Sequence, residues 1–213
     1  MTATLHGYWR SSAAYRVRIA LNLKCVSVEH RAVDLRSGEQ RSEEFRKLHH
    51  AGLVPSFVTE DGVALNQSMA IIEYLDEMFP DPPLLPAEPL ARARVRAAAQ
   101  AIACDIHPIA NLRVLQYLKA NAGFEQAQLD DWARHWIDTG LVALEQDVAG
   151  NTGAYLFGDA PTLADVCLVP QIYNARRFAC DISRYPRLVA ADEALNALPA
   201  FAAALPERQS DAS

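Results

Sequence analysis

Residues 9–24 read Trp-Arg-Ser-Ser-Ala-Ala-Tyr-Arg-Val-Arg-Ile-Ala-Leu-Asn-Leu-Lys, and this stretch indicates how the first half of the chain is built. Behind the hydroxyl pair Ser11-Ser12, residues from Ala13 to Lys24 follow the three- and four-residue spacing of a helix. A short strand, Thr4–Trp9, is predicted just before it. A serine at a helix N-terminus is usually only a cap. The same geometry also offers open N–H groups and a positive dipole end, which stabilise an anion such as a thiolate.

Outward from this helix, short strand-like runs alternate with helical ones. Residues 27–34 alternate polar and apolar, as a half-buried strand would. Asp61-Gly62 lies between two strand-like runs and predicts a hairpin. Further helices are expected at Glu43–His49 and Ser68–Phe79. The order βαβ, short helix, ββα predicts an α/β domain in which helices pack on a small sheet.

A boundary follows at Pro80–Pro89, where five prolines fall in ten residues and no helix or central strand can continue. We therefore expect a first domain at residues 1–80, a linker at 81–89 and an all-helical domain at 90–213. Thr162 and Asp165 fit a capping box at the start of one helix. The helices of this second domain are predicted near Leu90–Asn121, Glu125–Val148, Thr162–Phe178 and Arg187–Leu198.

Composition excludes several classes of protein. With 51% hydrophobic and 22% charged residues, the 213-residue chain is typical of globular proteins. A net charge of -6 argues against general nucleic-acid binding. No apolar run approaches the roughly 18–20 residues of a membrane span, and the first residues do not resemble a secretory signal.

The cysteines predict reduced thiols and a cytoplasmic location. Four of them lie far apart in the sequence and none forms a CxxC pair. Cys104 and His107 have the spacing of metal ligands, but two ligands do not make a zinc site. We expect no bound metal.

Three further features could carry chemistry. Val54-Pro55 precedes a strand, where the proline is either a plain boundary or a cis bond that turns backbone groups outward. Gln67-Ser68 opens a helix and either caps it or holds a carboxylate at its positive end. Arg113 and one of Arg176 and Arg177 matter if they face Ser11, although arginines on helices are usually solvated.

Together these segments resemble the zeta-class glutathione transferases, and within that class the bacterial maleylacetoacetate and maleylpyruvate isomerases. The resemblance covers nearly the whole chain. Its most specific part is Ser-Ser-x-x-x-Arg-Val-Arg, whereas the capping box and Val-Pro are shared with the wider transferase fold. The segments that carry it are residues 10–21, 54–55, 67–75, 104–108, 111–115, 162–165 and 175–178.

The resemblance implies an N-terminal thioredoxin-like domain that binds glutathione, a C-terminal helical domain that binds substrate, and a homodimer. It implies that Ser11 and Ser12 lie at the glutathione sulfur, with no thiol or hydroxyl at Ala13, where the family often has Cys or Thr. The remaining glutathione-binding residues that it implies are Gln40, Val54, Pro55, Gln67 and Ser68. The implied substrate-binding residues are Arg10, His107, Arg113 and Arg177, and Arg10 is also expected to act in catalysis.

The implied activity is glutathione-dependent cis–trans isomerisation of a small dicarboxylic keto acid. Two alternatives stay open: a zeta-class transferase or dehalogenase acting on α-halo acids, and a non-catalytic transferase-like binding module. The resemblance favours maleylacetoacetate over maleylpyruvate as the substrate, since Cys104–Leu115 is most similar to the bacterial maleylacetoacetate isomerases. Arg176 and Arg177 are about 100° apart on a helix, so only one is expected to face the substrate.

Overall fold

The computed structural model describes residues 2–213, which form two compact units. One contains the residues up to Pro83 together with Leu198–Ser213, and the other is Leu84–Ala197. The sequence-based boundaries fall close to the first division. Leu198–Ser213, assigned by sequence to the helical domain, instead packs with the first unit. Its Phe201 and Ala204 are buried, and two hydrogen bonds add to this packing: Arg18 Nε donates to the Ala204 carbonyl (3.2 Å) and Asn22 Nδ2 to that of Ala200 (2.8 Å).

The first unit has the predicted α/β organisation. The sheet order is β2-β1-β3-β4, in which β1 is parallel to β2 and antiparallel to β3, and β3 is antiparallel to β4. The elements are β1 (Thr4–Gly7), α1 (Ser12–Leu23), β2 (Glu29–Ala32), a 3-10 turn (Glu39–Arg41), α2 (Glu43–Leu48), β3 (Ser56–Val58), β4 (Ala64–Asn66) and α3 (Ser68–Met78).

Two strand predictions need correction. Strand β1 ends at Gly7, so Trp9 belongs to the turn that leads into α1. Strand β2 is exposed at all four positions and is not half-buried. It lies at the edge of the sheet, where one side has no neighbouring strand. The unit's core instead comes from β1, β3, α1 and α3, through residues such as Leu5, Phe57, Val17, Ile71 and Leu75.

The second unit is helical, as predicted, but the long helix expected at Leu90–Asn121 is wrong. A π turn (Ala101–Ile106) and a 3-10 turn (His107–Ala110) separate two helices. Pro108 lacks the N–H that an α-helix would use there, which accounts for the break. The helices are α4 (Pro89–Gln100), α5 (Leu112–Ala122), α6 (Gln126–Val148), α7 (Leu163–Arg177) and α8 (Pro186–Asn196).

The predicted capping box of α7 is confirmed. The Asp165 carboxylate accepts the N–H of Thr162 (2.7 Å), the hydroxyl of Thr162 (2.7 Å) and the N–H of Leu156 (2.9 Å). A last helix, α9 (Pro199–Ala203), belongs to the first unit. Across residues 2–213, no helix is both long and apolar enough to cross a membrane.

Candidate functional site

Strand register brings the candidate glutathione-binding segments of the first unit to one side of the sheet, where the ends of the strands lie. This side is called the edge from here on, as distinct from the outer strand β2. Gly7 pairs with Ala32, His6 with Ser56, and Ser56 with Asn66. Strands β1, β2 and β4 therefore end at the edge where β3 begins. The segments that leave or enter this edge are 8–12, 33–41, 53–55 and 67–68, and they carry the residues singled out by sequence.

The start of α1 has the predicted form. Ser11 is the N-cap, and its Oγ accepts the N–H of Ala14 (3.2 Å). The Ser11 N–H donates to the Tyr8 carbonyl (3.0 Å), which fixes the turn before the helix. Ser12 is the first helical residue and is buried. No acidic residue lies in the first turn, so the positive end of the helix dipole is not neutralised locally.

Val54 and Gln40 lie on two different segments at this edge, 53–55 and 33–41. The Val54-Pro55 peptide bond is cis, the second of the two possibilities at this proline. Among the described residues, the Val54 backbone hydrogen-bonds to no other part of the chain. Gln40 is buried, and its Oε1 has no hydrogen-bond partner. Gly52 packs against the Gln40 carbonyl, where an added Cβ would lie only 2.7 Å from the oxygen.

The start of α3 is an open helix N-terminus. Gln67 occupies the N-cap position without a side-chain capping hydrogen bond. Its φ of 72° lies in the left-handed region, which costs a non-glycine residue about 1–3 kcal/mol and is often found at ligand sites. No acidic residue occurs in the first turn of α3. An anion can therefore bind at this end of the helix.

A buried arginine lies beneath Ser68. Arg16 is 1% exposed, and its Nη1 donates to Ser68 Oγ (3.4 Å). Ser68 Oγ accepts this bond and keeps its own proton to donate. The guanidinium also adds positive charge close to the N-terminus of α3. Sequence reasoning missed Arg16 because its helical position gave no sign of burial; its place in the Arg-Val-Arg motif was the available signal.

Arg10 is exposed on the same turn. Its guanidinium carbon lies 5.2 Å from the centre of the Trp9 ring, close enough for a cation–π contact. Trp9 itself is 9% exposed. The Arg10 guanidinium is thus held beside the Trp9 ring, while the residue as a whole remains exposed.

In the second unit, His107 and Arg113 flank the break between α4 and α5. His107 begins the 3-10 turn, and Arg113 is exposed in the first turn of α5, which Asn111 caps by accepting the Val114 N–H (3.3 Å). Trp132 on α6 anchors the 3-10 turn, since its Nε1 donates to the Ile109 carbonyl (2.9 Å).

Arg176 and Arg177 have different surroundings at the end of α7. Arg176 Nη1 contacts Asp192 Oδ2 (2.7 Å), and that carboxylate is 1% exposed. The Arg177 guanidinium stacks on the Phe178 ring, 4.6 Å from its centre. The Phe178 carbonyl accepts from Arg134 on α6 (3.3 Å), two residues along the helix from Trp132. His107 and Arg177 are therefore on elements that contact the same turn of α6.

The metal-ligand spacing of Cys104 and His107 is not extended by further ligands among the described residues. Cys104 is exposed in the π turn that precedes His107. Within residues 2–213 there is no group of three or more His, Cys, Asp or Glu side chains that could hold a metal ion.

Comparison with known proteins gives matches over the whole chain. Residues 1–77 match the family model of the glutathione S-transferase N-terminal domain, and residues 126–203 match that of the C-terminal domain. The chain is 52% identical to the probable maleylacetoacetate isomerase of Vibrio cholerae over 100% of this chain and 99% of that protein.

Solved structures agree with these matches. A holo structure of maleyl pyruvate isomerase, described as a bacterial zeta-class glutathione S-transferase, is 45% identical with a TM-score of 0.96, covering 99% of this chain and 100% of that one. Maleylacetoacetate isomerase from Anaeromyxobacter dehalogenans, with bound dicarboxyethyl glutathione and citrate, is 46% identical with a TM-score of 0.89, covering 100% and 98%. The fold predicted from the resemblance is confirmed.

Proposed function

The chain belongs to the glutathione S-transferase family, and from this membership we propose that it is a glutathione-dependent cis–trans isomerase of maleylacetoacetate or maleylpyruvate. Its product is the corresponding fumaryl isomer, formed in the breakdown of aromatic compounds such as tyrosine. The observation that carries the proposal is that the starts of α1 and α3 lie with the Val54 loop at one edge of the sheet. Neither helix has an acidic residue in its first turn.

Glutathione is the cofactor, and the residues at this edge fit it. Its γ-glutamyl carboxylate matches the uncapped start of α3 at Gln67 and Ser68. The backbone of Val54, with no hydrogen bond to the described chain, matches the cysteinyl peptide. Gln40 is proposed to contact the glycyl end. Its buried, unpartnered Oε1 makes a polar ligand group the expected partner, since an unmade buried hydrogen bond costs about 1–3 kcal/mol.

Ser11 and Ser12 are proposed to hold the sulfur as an anion. When bound, glutathione supplies a thiolate that adds reversibly to the cis double bond, allowing rotation about it, and then leaves. Free cysteine thiols titrate near pH 8.5, so few are ionised at neutral pH. The positive end of α1 favours the charged form. Ser11 adds a hydroxyl donor, because its oxygen already accepts from Ala14 N–H while its proton remains to be donated.

Arginines are proposed to bind the two carboxylates of the substrate. A chain of net charge -6 does not attract a dianion as a whole, so local cations must do so. Planar guanidinium groups match carboxylates with two parallel hydrogen bonds. They also stabilise negative charge that develops on the keto oxygen during addition. The residues proposed for this role are Arg10, Arg113 and Arg177, and His107 is also proposed to contact the substrate.

The test is isomerisation of maleylacetoacetate and maleylpyruvate, measured side by side with and without glutathione. Rapid turnover that depends on glutathione is expected, and the ratio of kcat/KM for the two substrates identifies the physiological one. Absence of turnover for both, with glutathione still bound, would contradict the isomerase assignment and favour another reaction on small acids.

The proposal includes a homodimer. Supporting it are large apolar side chains left exposed in the first unit: Val63 (56%), Met78 (56%) and Phe79 (41%). Isolated side chains of this kind are normal on a monomer, but three of them are consistent with a contact surface. Light scattering coupled to gel filtration should give the mass of a dimer for the wild type, and Met78→Glu should weaken it.

A cytoplasmic location is also part of the proposal. It is supported by the four cysteines, none of which forms a disulfide, as expected in a reducing compartment. Cell fractionation of the native source would test it.

A further inference from the structure

Directly before Arg10 and Ser11, the backbone of Trp9 is held on two sides by hydrogen bonds with side chains. We call this pair of contacts, made by Asp211 and Arg18, the bracket. On one side, Oδ2 of Asp211 accepts the Trp9 N–H (2.9 Å). On the other, Nη2 of Arg18 donates to the Trp9 carbonyl (2.9 Å). Arg18 also donates to the Ala204 carbonyl (3.2 Å), so one guanidinium joins the turn to the segment that carries Asp211.

The segment concerned is residues 198–213, called here the C-terminal segment. It lies on α1, where Asn22 Nδ2 donates to the Ala200 carbonyl (2.8 Å). A cavity of about 260 Å³ separates part of it from β1 and β2. Phe201 and Ala204 of the segment are buried, and the hydrogen bonds to Arg18, Asn22 and Trp9 hold it beside the cavity. Residues of the cavity wall include Leu5, Gly7, Ala32, Ala203, Gln209 and Asp211.

Whatever fixes Trp9 also fixes two residues of the proposed site. The ring of Trp9 supports the Arg10 guanidinium at 5.2 Å. Ser11 follows two residues later, and its N–H closes the same turn on the Tyr8 carbonyl (3.0 Å). By contrast, Gln40, Val54, Gln67 and Ser68 lie on other segments of the edge, outside this bracket.

We propose that Asp211 is a positioning residue, which acts from the C-terminal segment through Trp9 to orient Arg10 and Ser11 for the reaction. Arg18 completes the bracket from α1. This inference rests on the roles proposed above for Arg10 and Ser11. A carboxylate is well suited to the task, because a charged acceptor makes a stronger hydrogen bond to a backbone N–H than a neutral one.

The decisive variants are Asp211→Ala, which removes the acceptor, and Asp211→Asn, which keeps an oxygen for the Trp9 N–H. Asp211 is only partly buried, so both variants are expected to fold. Ser210→Ala is the matched control, since Ser210 is the exposed neighbour. A shift in the position of catalytic groups of about 1 Å can cost up to about 100-fold. We expect kcat/KM for the maleyl substrate to fall about 10–100-fold in Asp211→Ala and to recover in Asp211→Asn.

Measuring kcat and the two KM values separately distinguishes a positioning role of Asp211 from a simple loss of folded enzyme. A partly unfolded preparation loses kcat while every KM stays the same. Misplaced Arg10 instead raises KM for the maleyl substrate, while KM for glutathione stays within about twofold because most of its contacts lie outside the bracket. The same loss in Ser210→Ala, no recovery in Asp211→Asn, or unchanged kinetics in Asp211→Ala would overturn the inference.

Hydrogen exchange of the Trp9 N–H, followed on the glutathione-free protein, tests the bracket without any assay of activity. Exchange should be faster in Asp211→Ala and near the wild-type rate in Asp211→Asn, because only the first lacks the acceptor. An unchanged rate in Asp211→Ala would overturn the bracket. A wild-type protein with no isomerase activity would overturn the proposed function, and exchange at Trp9 would still report this contact separately.

Discussion

Ser11 and Ser12 are neighbours, but only Ser11 supports the helix. Its Oγ accepts the Ala14 N–H, whereas Ser12 is the first residue of α1 and caps nothing. Ser11→Ala should lower the free energy of unfolding by about 1 kcal/mol, the usual value of an N-cap, and reduce turnover as well. Ser12→Ala should reduce turnover while the cap remains. Urea unfolding and steady-state kinetics on the two variants measure both effects.

Their comparison isolates the role of each hydroxyl. A Ser12→Ala enzyme with full turnover would remove Ser12 from the stabilisation of the thiolate. Ser11→Thr is the control, because threonine keeps both the cap and a hydroxyl proton.

Substitutions of the two arginines at the end of α7 should also have different effects on the kinetics. Arg176 contacts the buried Asp192, and Arg177 is the member proposed to bind the substrate. Arg177→Ala should raise KM for the maleyl substrate at least about tenfold, the loss of one hydrogen-bonded charge pair. KM for glutathione should stay nearly constant. Initial rates over a matrix of both concentrations give the two constants.

Arg176→Ala is the matched comparison. It leaves Asp192 buried with only the Asn196 amide as a side-chain partner (2.9 Å), and should lower stability by about 1–3 kcal/mol. Burial already raises the pKa of Asp192, and loss of the arginine should raise it further. An unchanged KM in Arg177→Ala together with an increased one in Arg176→Ala would reverse the assignment.

At the scale of elements, the segment that carries His107 depends on a glycine of α6. A Cβ added at Gly140 would lie 2.3 Å from Cγ1 of Ile106, a residue that is only 2% exposed. Gly140→Ala should therefore displace the π turn that ends at Ile106. The expected cost is about 1–3 kcal/mol, as for other overpacked cores, together with a higher KM for the substrate. Thermal unfolding and initial rates measure both.

Gly150 provides the control for this change. An added Cβ there meets no atom within 4 Å, and its backbone does not require glycine. Gly150→Ala should leave the stability and both KM values close to those of the wild type. Equal effects at Gly140 and Gly150 would show that the close approach to Ile106 does not position the π turn.

Helix α1 shows what the sequence could and could not predict at this scale. Its location and its capping serine follow from local spacing. Burial of Arg16 and Arg18 does not, because their partners, Ser68 and Ala204, are 52 and 186 residues away in the sequence. Helical periodicity reports where apolar side chains recur, and polar residues buried by distant partners appear as ordinary surface positions.

For the whole molecule, the order of elements and the linker were predictable from turn chemistry and proline placement. The convergence of Ser11, Val54 and Gln67 at one edge required the strand register, which the structure supplies. The return of the C-terminal segment to the first unit was missed, since its helical composition matches that of the helical unit. Burial of Phe201 and Ala204, together with the hydrogen bonds of Arg18, Asn22 and Trp9, places it there.

The stability of the whole fold should depend on pH through three histidines of the first unit. The pKa values of His6, His30 and His49 lie below 6.5. Burial, which disfavours the charged imidazolium, is the largest cause; for His30, which lies on the exposed strand β2 and is only partly shielded from solvent, the charge of Arg18 is the next cause. The unfolded chain therefore binds more protons than the folded one as pH falls below about 6.5. Their contribution is present above that pH and is lost as pH falls through the folded-state pKa values.

Of the three, His49 has the least exposed side chain, so it provides the sharpest test. Buried Asp165 and Asp192 act in the opposite direction, because burial raises their pKa values and the folded state then takes up protons first. Both carboxyls are present in the wild type and in a His49 variant, so their contribution cancels when the free energies of unfolding of the two proteins are subtracted. His49→Gln cannot be protonated, so its free energy of unfolding, measured by urea titration from pH 7.5 to 5.5, should fall less steeply than that of the wild type. Parallel curves would exclude His49 as a source of acid sensitivity.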